Sequence, residues 1–150
     1  MIAVTQVVDQ ASVSIYDQPI VRREISRGLI IFLGVSKTDT EKDVDKLVSK
    51  ILKLRVFADT EKKMNLDIQA IRGEILLISQ FTLLGDVKGG NRPDFFLAAD
   101  KTLAINLYQQ FADKLTKEGL SVKTGFFAEH MKIETSLKGP VTIILDSNKL

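Results

Sequence analysis

The stretch Ile75-Leu76-Leu77-Ile78, followed directly by Ser79-Gln80-Phe81-Thr82-Leu83, decides the fold of this chain. Four consecutive aliphatic residues predict a strand that is buried on both faces. The run then ends in a hydroxyl, an amide, an aromatic ring and a second hydroxyl. Where a buried strand meets such a cluster, polar side chains and free backbone N–H groups can converge on a ligand. The sequence therefore predicts a central strand with a candidate binding site at its end.

The rest of the chain predicts further strands on both sides of this run. Met1–Ile25 alternates apolar and polar residues around a turn at Asp17-Gln18-Pro19, which predicts a hairpin, and Gly28–Val35 is apolar enough for a second central strand. Gly139-Pro140 lies between the last two predicted strands. The other expected strands are Arg55–Phe57, which is short, Glu74–Gln80, Ser121–Thr124, Lys132–Leu137 and Val141–Leu145.

Two helices complete the predicted domain. A capping box at Thr38 and Glu41 starts the first, which runs to about Leu54, and the second covers about Lys101–Glu118. Gly85–Pro93, with three glycines and a proline, is expected to be a loop. Strand-rich ends with two helices are typical of a single α+β domain, here residues 1–150, and not of a regular βαβ alternation.

The composition limits the possible chemistry. The chain has no cysteine, which excludes disulfides and thiolate metal sites, and its first residues lack the pattern of a signal peptide, so a cytoplasmic location is expected. A net charge of +2 does not by itself indicate a nucleic-acid partner. His130 is the only histidine and has no metal-ligand partner at a helpful spacing. A surface or packed position is therefore expected for it, and no metal site is predicted.

Two motifs each have two interpretations. Ser79–Leu83 can be a strand end whose hydroxyls bond to nearby backbone while Phe81 packs in the core. It can also be an oxyanion or carbonyl-binding site, in which Gln80 and the N–H groups around Phe81 hold the reacting group near Thr82. Gly139-Pro140 can be a hairpin turn, or a cis peptide that presents rigid backbone carbonyls to a ligand.

Three motifs taken together point to a family. The string at 79–83, the loop Lys88-Gly89-Gly90-Asn91-Arg92-Pro93-Asp94-Phe95 and the closing Gly139-Pro140-Val141-Thr142 resemble the D-aminoacyl-tRNA deacylases. The resemblance covers essentially the whole chain. It also includes Gln10–Val13, Gly28–Ile30, Lys63–Leu66, Leu107-Tyr108 with Phe111, and Thr124-Gly125.

The resemblance implies a mainly antiparallel, barrel-like core with two main helices. It also implies a homodimer that hydrolyses the ester joining a D-amino acid, or glycine, to the 3′ end of tRNA, without metal or organic cofactor. The implied catalytic residues are Gln80, Phe81 and Thr82, and Ser79 and Met131 would bind the substrate. Thr82 is assigned to binding or positioning because the family uses the 2′-hydroxyl of the tRNA, and this chain offers no nearby histidine–acid pair to activate a threonine.

The same resemblance implies that Gly139 and Pro140 form a cis-proline motif that reaches into the pocket of the partner subunit. Its carbonyls would hold the substrate amino group and crowd the space that an L side chain needs. Glycine has no side chain to collide, so a site of this kind is expected to accept glycine as well as D-residues.

The chain departs from the family pattern near this motif. Relatives usually have Asn-Asp immediately before Gly-Pro, where this chain has Leu137-Lys138. They usually have arginine at Val7, thought to brace Gly-Pro, and glycine at Ala128. These changes put the support of the selective motif in question, while the pocket string itself is intact.

Other charged residues carry weaker signals. Lys88 and Arg92 can contact tRNA phosphates or belong to a solvated turn. Lys46, Lys50 and Lys53 on the first helix are expected to form its solvated face. One alternative function is a nucleic-acid-binding module of the same fold without deacylase activity. Another is a structural homologue whose catalysis has lapsed because of Val7, Leu137 and Lys138.

Overall fold

The alternating N-terminal pattern folds into a long strand, β1 (Ile2–Ile15), that pairs along both of its edges. The computed structural model describes all residues from Met1 to Leu150. Its other strands are β2 (Gln18–Ile25), β3 (Gly28–Gly34), β4 (Phe57–Ala58), β5 (Met64–Leu66), β6 (Glu74–Ser79), β7 (Ser121–Thr124) and β8 (Met131–Asp146), and its helices are α1 (Glu41–Leu52) and α2 (Lys101–Lys117). Single 3₁₀ turns cover Phe81–Leu84 and Ser147–Lys149.

The main sheet is mixed but mostly antiparallel. β8 runs antiparallel to β1 along one edge, while the other edge of β1 pairs first with β3 and then with β2. β6 and β7 follow β3 in parallel, so the carboxyl ends of these three strands lie at the same edge of the sheet. The sheet curls into a nearly closed, barrel-like core. The predicted α+β class, with its mainly antiparallel barrel-like core and two main helices, is confirmed.

The central strands β3 and β6 are buried on both faces, as their apolar runs predict. Alternate residues of β6, such as Ile75 and Leu77, join the larger cluster of 23 buried residues, to which α1 and α2 also contribute. The residues between them, such as Leu76 and Ile78, belong to a smaller cluster of seven on the opposite face. Neither helix is long and apolar enough to span a lipid bilayer.

The capping box of α1 lies two residues later than the sequence analysis predicts. Thr40 and Asp43 form it, because the backbone N–H and the hydroxyl of Thr40 both donate to the Asp43 carboxylate, at 2.9 and 3.0 Å. The earlier residues are held in a turn instead. Asp39 accepts from the Ser36 N–H and from the buried amino group of Met1, both at 2.6 Å, and these contacts delay the start of the helix.

Asp43 also joins the helix start to the end of the chain. The Ser147 hydroxyl donates to its carboxylate at 2.8 Å. Burial by itself would raise the pKa of Asp43, but the hydrogen bonds from the Thr40 N–H and the hydroxyls of Ser147 and Thr40 outweigh it, so the pKa lies below its ordinary value. This carboxylate is therefore more stable ionised in the folded protein than in the unfolded chain.

The two strands predicted at Lys132–Leu137 and Val141–Leu145 are one strand, β8. Both halves pair with β1 in the same direction, so the strand continues through the interruption. Val8 pairs with Leu137 and Gln6 with Thr142, so the four residues from 138 to 141 have no partners on β1 and bulge from the ladder. Gly139-Pro140 therefore lies in a protrusion within a continuous strand and not in a hairpin turn.

Candidate active site

A pocket of about 730 Å³ lies at the sheet edge where the carboxyl ends of β3 and β6 meet. This volume is typical of small-ligand sites. Its walls come from the ends of these strands, the first turns of α2 and the segment between β7 and β8. The lining residues are Leu33, Val35, Ser79, Gln80, Phe81, Ala99, Lys101, Ala104, Tyr108, Phe127, Ala128, Glu129, His130, Met131 and Ile133.

The polar wall of the pocket is fixed to the central sheet. Ser79, the last residue of β6, is in register with Leu33 of β3, and the Gln80 N–H donates to the Leu33 carbonyl at 2.8 Å. The chain then turns at once into the 3₁₀ turn Phe81–Leu84, which packs against Gly34. A Cβ atom on Gly34 would lie 3.0 Å from the Leu83 Cβ and 3.1 Å from the Gln80 carbonyl oxygen. Only glycine allows the turn to lie this close to β3.

This wall carries backbone hydrogen-bond donors next to the side-chain amide of Gln80. The Leu83 N–H donates to the Gln80 carbonyl and is the first hydrogen bond of the turn. The N–H groups of Phe81 and Thr82 precede it, so neither has an acceptor within the turn. The Gln80 side-chain amide donates to the Thr82 hydroxyl. The side-chain hydrogen bond of Thr82 therefore involves an amide and no histidine or carboxylate that could activate it as a nucleophile.

The aromatic rings beside the polar wall belong to the turn and to the following loop. Phe81 is 58% exposed, and its ring meets that of Phe95 edge to face, with 5.0 Å between the ring centroids. Asp86 and Asp94 exchange two backbone hydrogen bonds of 2.9 Å, which close the loop between them. Phe81 therefore presents an apolar face to the pocket and does not pack in the core.

The tip of that loop carries the two predicted tRNA-binding residues. Lys88 and Arg92 are exposed and do not line the pocket. Their role stays a prediction.

The opposite wall, Phe127–Met131, is held in place from behind by Arg23 of β2. One guanidinium nitrogen of Arg23 donates to the Thr124 carbonyl at 2.7 Å, to the Thr124 hydroxyl at 2.8 Å and to the Gly125 carbonyl at 3.1 Å. The guanidinium also lies over the Phe126 ring, 4.3 Å from its centroid. These contacts fix the chain immediately before it enters the pocket wall.

Tyr108 of α2 joins this wall to the central sheet. Its phenol donates to the Leu77 carbonyl at 2.6 Å, and the Gly125 N–H donates to the same carbonyl at 2.7 Å. Burial raises the pKa of Tyr108 well above its ordinary value, while the hydrogen bond with Gly125 and the charge of Arg23 act in the opposite direction with smaller effect. The phenol therefore stays protonated and acts as a hydrogen-bond donor.

The sequence analysis missed several residues that line the pocket. Lys101, Glu129 and His130 bring ionisable groups to its walls. His130 is exposed, and its ring lies edge to face on Tyr16 with 5.2 Å between centroids. The expected surface position is therefore correct. Glu129 and His130 both line the pocket, but neither forms a hydrogen bond with Thr82, so the two residues supply no observed activating pair for that threonine. The missing information was the parallel pairing of β6 with β7, which brings the loop after β7 to the same sheet edge.

Gly139 and Pro140 lie apart from the pocket of their own chain. The peptide bond between them is cis, both residues are exposed, and neither lines the pocket. Met131, at the other end of β8, does line it. The predicted site residues are therefore divided between a pocket formed by Ser79, Gln80, Phe81 and Met131, with Thr82 bonded to Gln80, and a separate protrusion.

The residues that depart from the family pattern lie in different environments. Val7 is buried in the core, and Lys138 forms an ion pair with Asp9 of β1 at 3.3 Å. Ala128 adopts a φ of 60°, a left-handed conformation that glycine adopts more easily. Leu137 is 45% exposed beside the protrusion. No group of three or more histidine, aspartate or glutamate side chains is placed to hold a metal ion.

Comparison with known proteins gives full-length matches. The family model described as D-Tyr-tRNA(Tyr) deacylase matches residues 4–146. A D-aminoacyl-tRNA deacylase of Natranaerobius thermophilus is 49% identical over 150 residues, covering 99% of both chains. A D-aminoacyl-tRNA deacylase of Persephonella marina is 51% identical over 150 residues, covering 100% of both chains.

Solved structures with similar folds cover almost the whole chain. The c-Myc DNA Unwinding Element Binding Protein superposes with a TM-score of 0.89 at 40% identity, covering 97% of this chain and 98% of that one. A probable eukaryotic D-amino acid tRNA deacylase superposes with a TM-score of 0.80 at 19% identity, covering 96% and 97%. The second likeness supports the fold alone.

Proposed function

The chain belongs to the D-Tyr-tRNA(Tyr) deacylase family, and from this premise we propose how its pocket carries out the reaction. The protein is a D-aminoacyl-tRNA deacylase, a hydrolase of the ester bond between the amino acid and the tRNA. One observation carries the proposal. Gln80 and Phe81 line a pocket in which unpartnered backbone N–H groups stand beside an amide, whereas no activating base bonds to Thr82.

We propose that this wall stabilises charge and forms no covalent intermediate. A water molecule adds to the ester carbonyl, and the developing oxyanion accepts hydrogen bonds from the N–H groups of Phe81 and Thr82. The intermediate then expels the 3′ oxygen of the terminal ribose, which takes up a proton, and releases the free D-amino acid and tRNA. The neighbouring 2′-hydroxyl of that ribose assists the water. Gln80 and Thr82, which bond to each other, position the ester.

The role of the 2′-hydroxyl has a direct test. D-tyrosyl-tRNA ending in 2′-deoxyadenosine should be hydrolysed at least about a hundredfold more slowly than the normal substrate, because general acid–base assistance contributes about 10²–10⁴-fold. Its binding should change little. An unchanged single-turnover rate would refute this part of the mechanism.

We propose that the active unit is a homodimer whose pockets are completed by the partner's protrusion. β8 pairs with β1 alone, so its outer edge has unpaired backbone groups. Ile144 on this strand is 71% exposed and Leu137 is 45% exposed. An open strand edge with exposed apolar side chains is a surface that associates readily. Gly139-Pro140 does not line the pocket of its own chain. The proposal therefore requires that the motif at each pocket comes from a second copy of the chain.

A mixed dimer tests this arrangement. Phe81→Ala disables the pocket wall, and Pro140→Ala disables the protrusion. If the protrusion acts on the partner's pocket, a dimer of one Phe81→Ala chain and one Pro140→Ala chain has one site with both residues intact. Co-refolded mixtures should then recover selective hydrolysis that neither variant shows alone. No recovery in a verified heterodimer would mean that both residues act within one chain.

Within this site we propose that selectivity comes from steric exclusion. Backbone carbonyls at Gly139-Pro140 would accept from the substrate amino group and occupy the space of an L side chain. A clash of about 4 kcal/mol gives roughly a thousandfold discrimination. Glycyl-tRNA would also be hydrolysed, because glycine has no side chain that could clash with these carbonyls.

Single-turnover hydrolysis of D-tyrosyl-, L-tyrosyl- and glycyl-tRNA tests these statements together. We expect release from the D and glycyl substrates and none above buffer from the L substrate. Absence of release from the D substrate would remove the enzymatic function. Equal release from D and L would reject the steric gate, and Pro140→Ala should relax the exclusion of L substrates. The substrate is charged tRNA, so we further propose a cytoplasmic location.

A second candidate is DNA binding without deacylation. It is favoured by the 40% identity to the c-Myc DNA Unwinding Element Binding Protein. Tight binding of a DNA duplex by a protein that releases no D-amino acid from D-tyrosyl-tRNA would support this candidate over the enzyme.

A further inference from the structure

Helix α1 divides its charges between two faces. The acids Glu41 and Asp45 both pair with Lys114 of α2, at 2.9 Å for Glu41. The third acid, Asp43, bonds to Thr40 and Ser147. All three carboxylates of the helix are therefore engaged in contacts that hold α1 to its neighbours.

The cations of the same helix have no acidic partner. Lys42, Lys46, Lys50 and Lys53 lie within roughly 80° of one another around the helix, opposite the buried face that includes Leu47 and Ile51. None of these lysines forms an ion pair, nor does Arg55 just after the helix. The result is a surface of five cations without an ion-pair partner, of which Lys46 donates to the Ser147 carbonyl at 3.1 Å and Arg55 to the Asn65 side chain at 2.9 Å.

A groove of about 530 Å³ lies along this surface. Four of its seven lining residues are cations: Lys46, Lys50, Lys53 and Arg55. A solvated helix face explains exposed lysines, and the helix dipole favours cations in its last turn. Both effects concern single residues, whereas here four cations share one concave site. A concave surface of one charge concentrates the potential and favours a ligand of opposite charge.

The spacing of the lysines fits an extended polyanion. Lys42, Lys46 and Lys50 follow one another at four-residue intervals, which is about 6 Å along the helix. One strand of a nucleic-acid duplex carries a phosphate about every 3.4 Å of its axis, so each lysine can reach every second phosphate or so. Helix α1 follows β3, whose end lines the pocket, after a connection of six residues.

We propose that this groove binds the sugar–phosphate backbone of the RNA part of the substrate, beyond the 3′ end held in the pocket. The inference rests on the proposed function, because it concerns the same substrate. The groove provides affinity and orientation and does not touch the ester. Duplex RNA is recognised mostly through its backbone and shape, so the contacts need not depend on sequence.

A double charge removal tests the proposal. Lys50→Gln/Lys53→Gln removes two exposed cations of the groove and preserves the length of both side chains. The control, Lys117→Gln/Lys123→Gln, removes two exposed and unpaired lysines on α2 and β7. Each protein is assayed on D-tyrosyl-tRNA and on the D-tyrosyl ester of the trinucleotide CCA, which lacks the double-helical part of the tRNA. Binding of uncharged tRNA is measured from 50 to 200 mM salt.

For the groove variant we expect the KM for D-tyrosyl-tRNA and the Kd for uncharged tRNA to rise about tenfold or more at low salt. The slope of log Kd against log salt should fall in magnitude by about 2, one unit for each lost phosphate contact. Hydrolysis of the CCA ester should match the wild type. The control should behave as the wild type on all three probes.

Three results would overturn the proposal: wild-type tRNA binding by the groove variant, an equal loss in the control, or an equal loss on the CCA ester. The first two would show that the groove is not the RNA surface, and the third would show that these lysines support the pocket itself and not the binding of RNA beyond the 3′ end. If the wild type hydrolyses neither ester, the proposed function fails. The salt-dependent binding of uncharged tRNA still tests whether the groove binds RNA.

Discussion

Gly34→Ala should displace the polar wall of the pocket. The added Cβ would lie 2.5 Å from the Leu84 Cδ2 atom, 3.0 Å from the Leu83 Cβ and 3.1 Å from the Gln80 carbonyl oxygen. The Leu84 methyl can rotate away because it ends a flexible side chain. The other two atoms belong to the 3₁₀ turn itself, so the turn must move.

The size of the movement follows from these distances. Non-bonded heavy atoms are comfortable at about 3.5–4.0 Å, so the turn must retreat by about half an ångström. Overpacking of this kind costs about 1–3 kcal/mol. A misplacement of about 1 Å at a reacting centre can cost about a hundredfold in rate. Half of that distance should lower kcat about tenfold, because the N–H groups of Phe81 and Thr82 move with the turn.

The assay is thermal unfolding together with single-turnover hydrolysis of D-tyrosyl-tRNA. For a domain of this size, 1 kcal/mol shifts the Tm by about 2–4 °C. The control is Gly89→Ala, because a Cβ there meets no atom within 4 Å. That variant should have the Tm and kcat of the wild type. A Gly34→Ala enzyme with a lowered Tm but a wild-type kcat would refute the reasoning, since the turn would then not position the reacting group.

Three other substitutions test other parts of the structure. Tyr108→Phe should cost about 1 kcal/mol of unfolding free energy in denaturant titration, and not more, because the Leu77 carbonyl keeps its bond from Gly125. Ala128→Gly should raise the unfolding free energy by up to about 1 kcal/mol. The left-handed φ costs alanine about 1–2 kcal/mol, while fixing the more flexible glycine backbone costs about 0.5–1 kcal/mol. A lower stability of this variant would contradict the account. The pKa of Asp43 lies below its ordinary value in the folded protein, so its contribution to stability is present above the ordinary pKa and is lost as the pH falls through the folded pKa. Asp43→Asn should therefore make the unfolding free energy depend less on pH below about pH 4. The same pH dependence in the variant and the wild type would contradict this account.

The elements that could be predicted from the sequence are those that local patterns determine. β6 and α2 lie where an apolar run and a helical repeat predict them, because burial of their own side chains decides each structure. The capping box predicted at Thr38 lies two residues too early because Asp39 is held by the amino group of Met1, a contact between residues 38 apart in sequence. The two halves of β8 join for a similar reason, since both pair with β1.

The candidate site was predictable in part. Ser79–Thr82 could be identified because polar residues directly follow a buried run. The wall at Phe127–Met131 could not, because it depends on the parallel pairing of β6 with β7, and no local pattern specifies which strands become neighbours. The bonds from Arg23 to Thr124 and Gly125 also join segments about a hundred residues apart.

The double pairing of β1 has a consequence for how the chain folds during synthesis. Ile2 is opposite Asp146, so β1 is synthesised long before β8, the strand with which it pairs. Closing so long a loop costs entropy before any contact repays it, and topologies of this kind fold slowly. At a synthesis rate of about 5–20 residues per second, β1 lacks this partner for several seconds or more, with one edge open and many apolar side chains. The nascent chain should therefore depend on chaperone protection until β8 has left the ribosome.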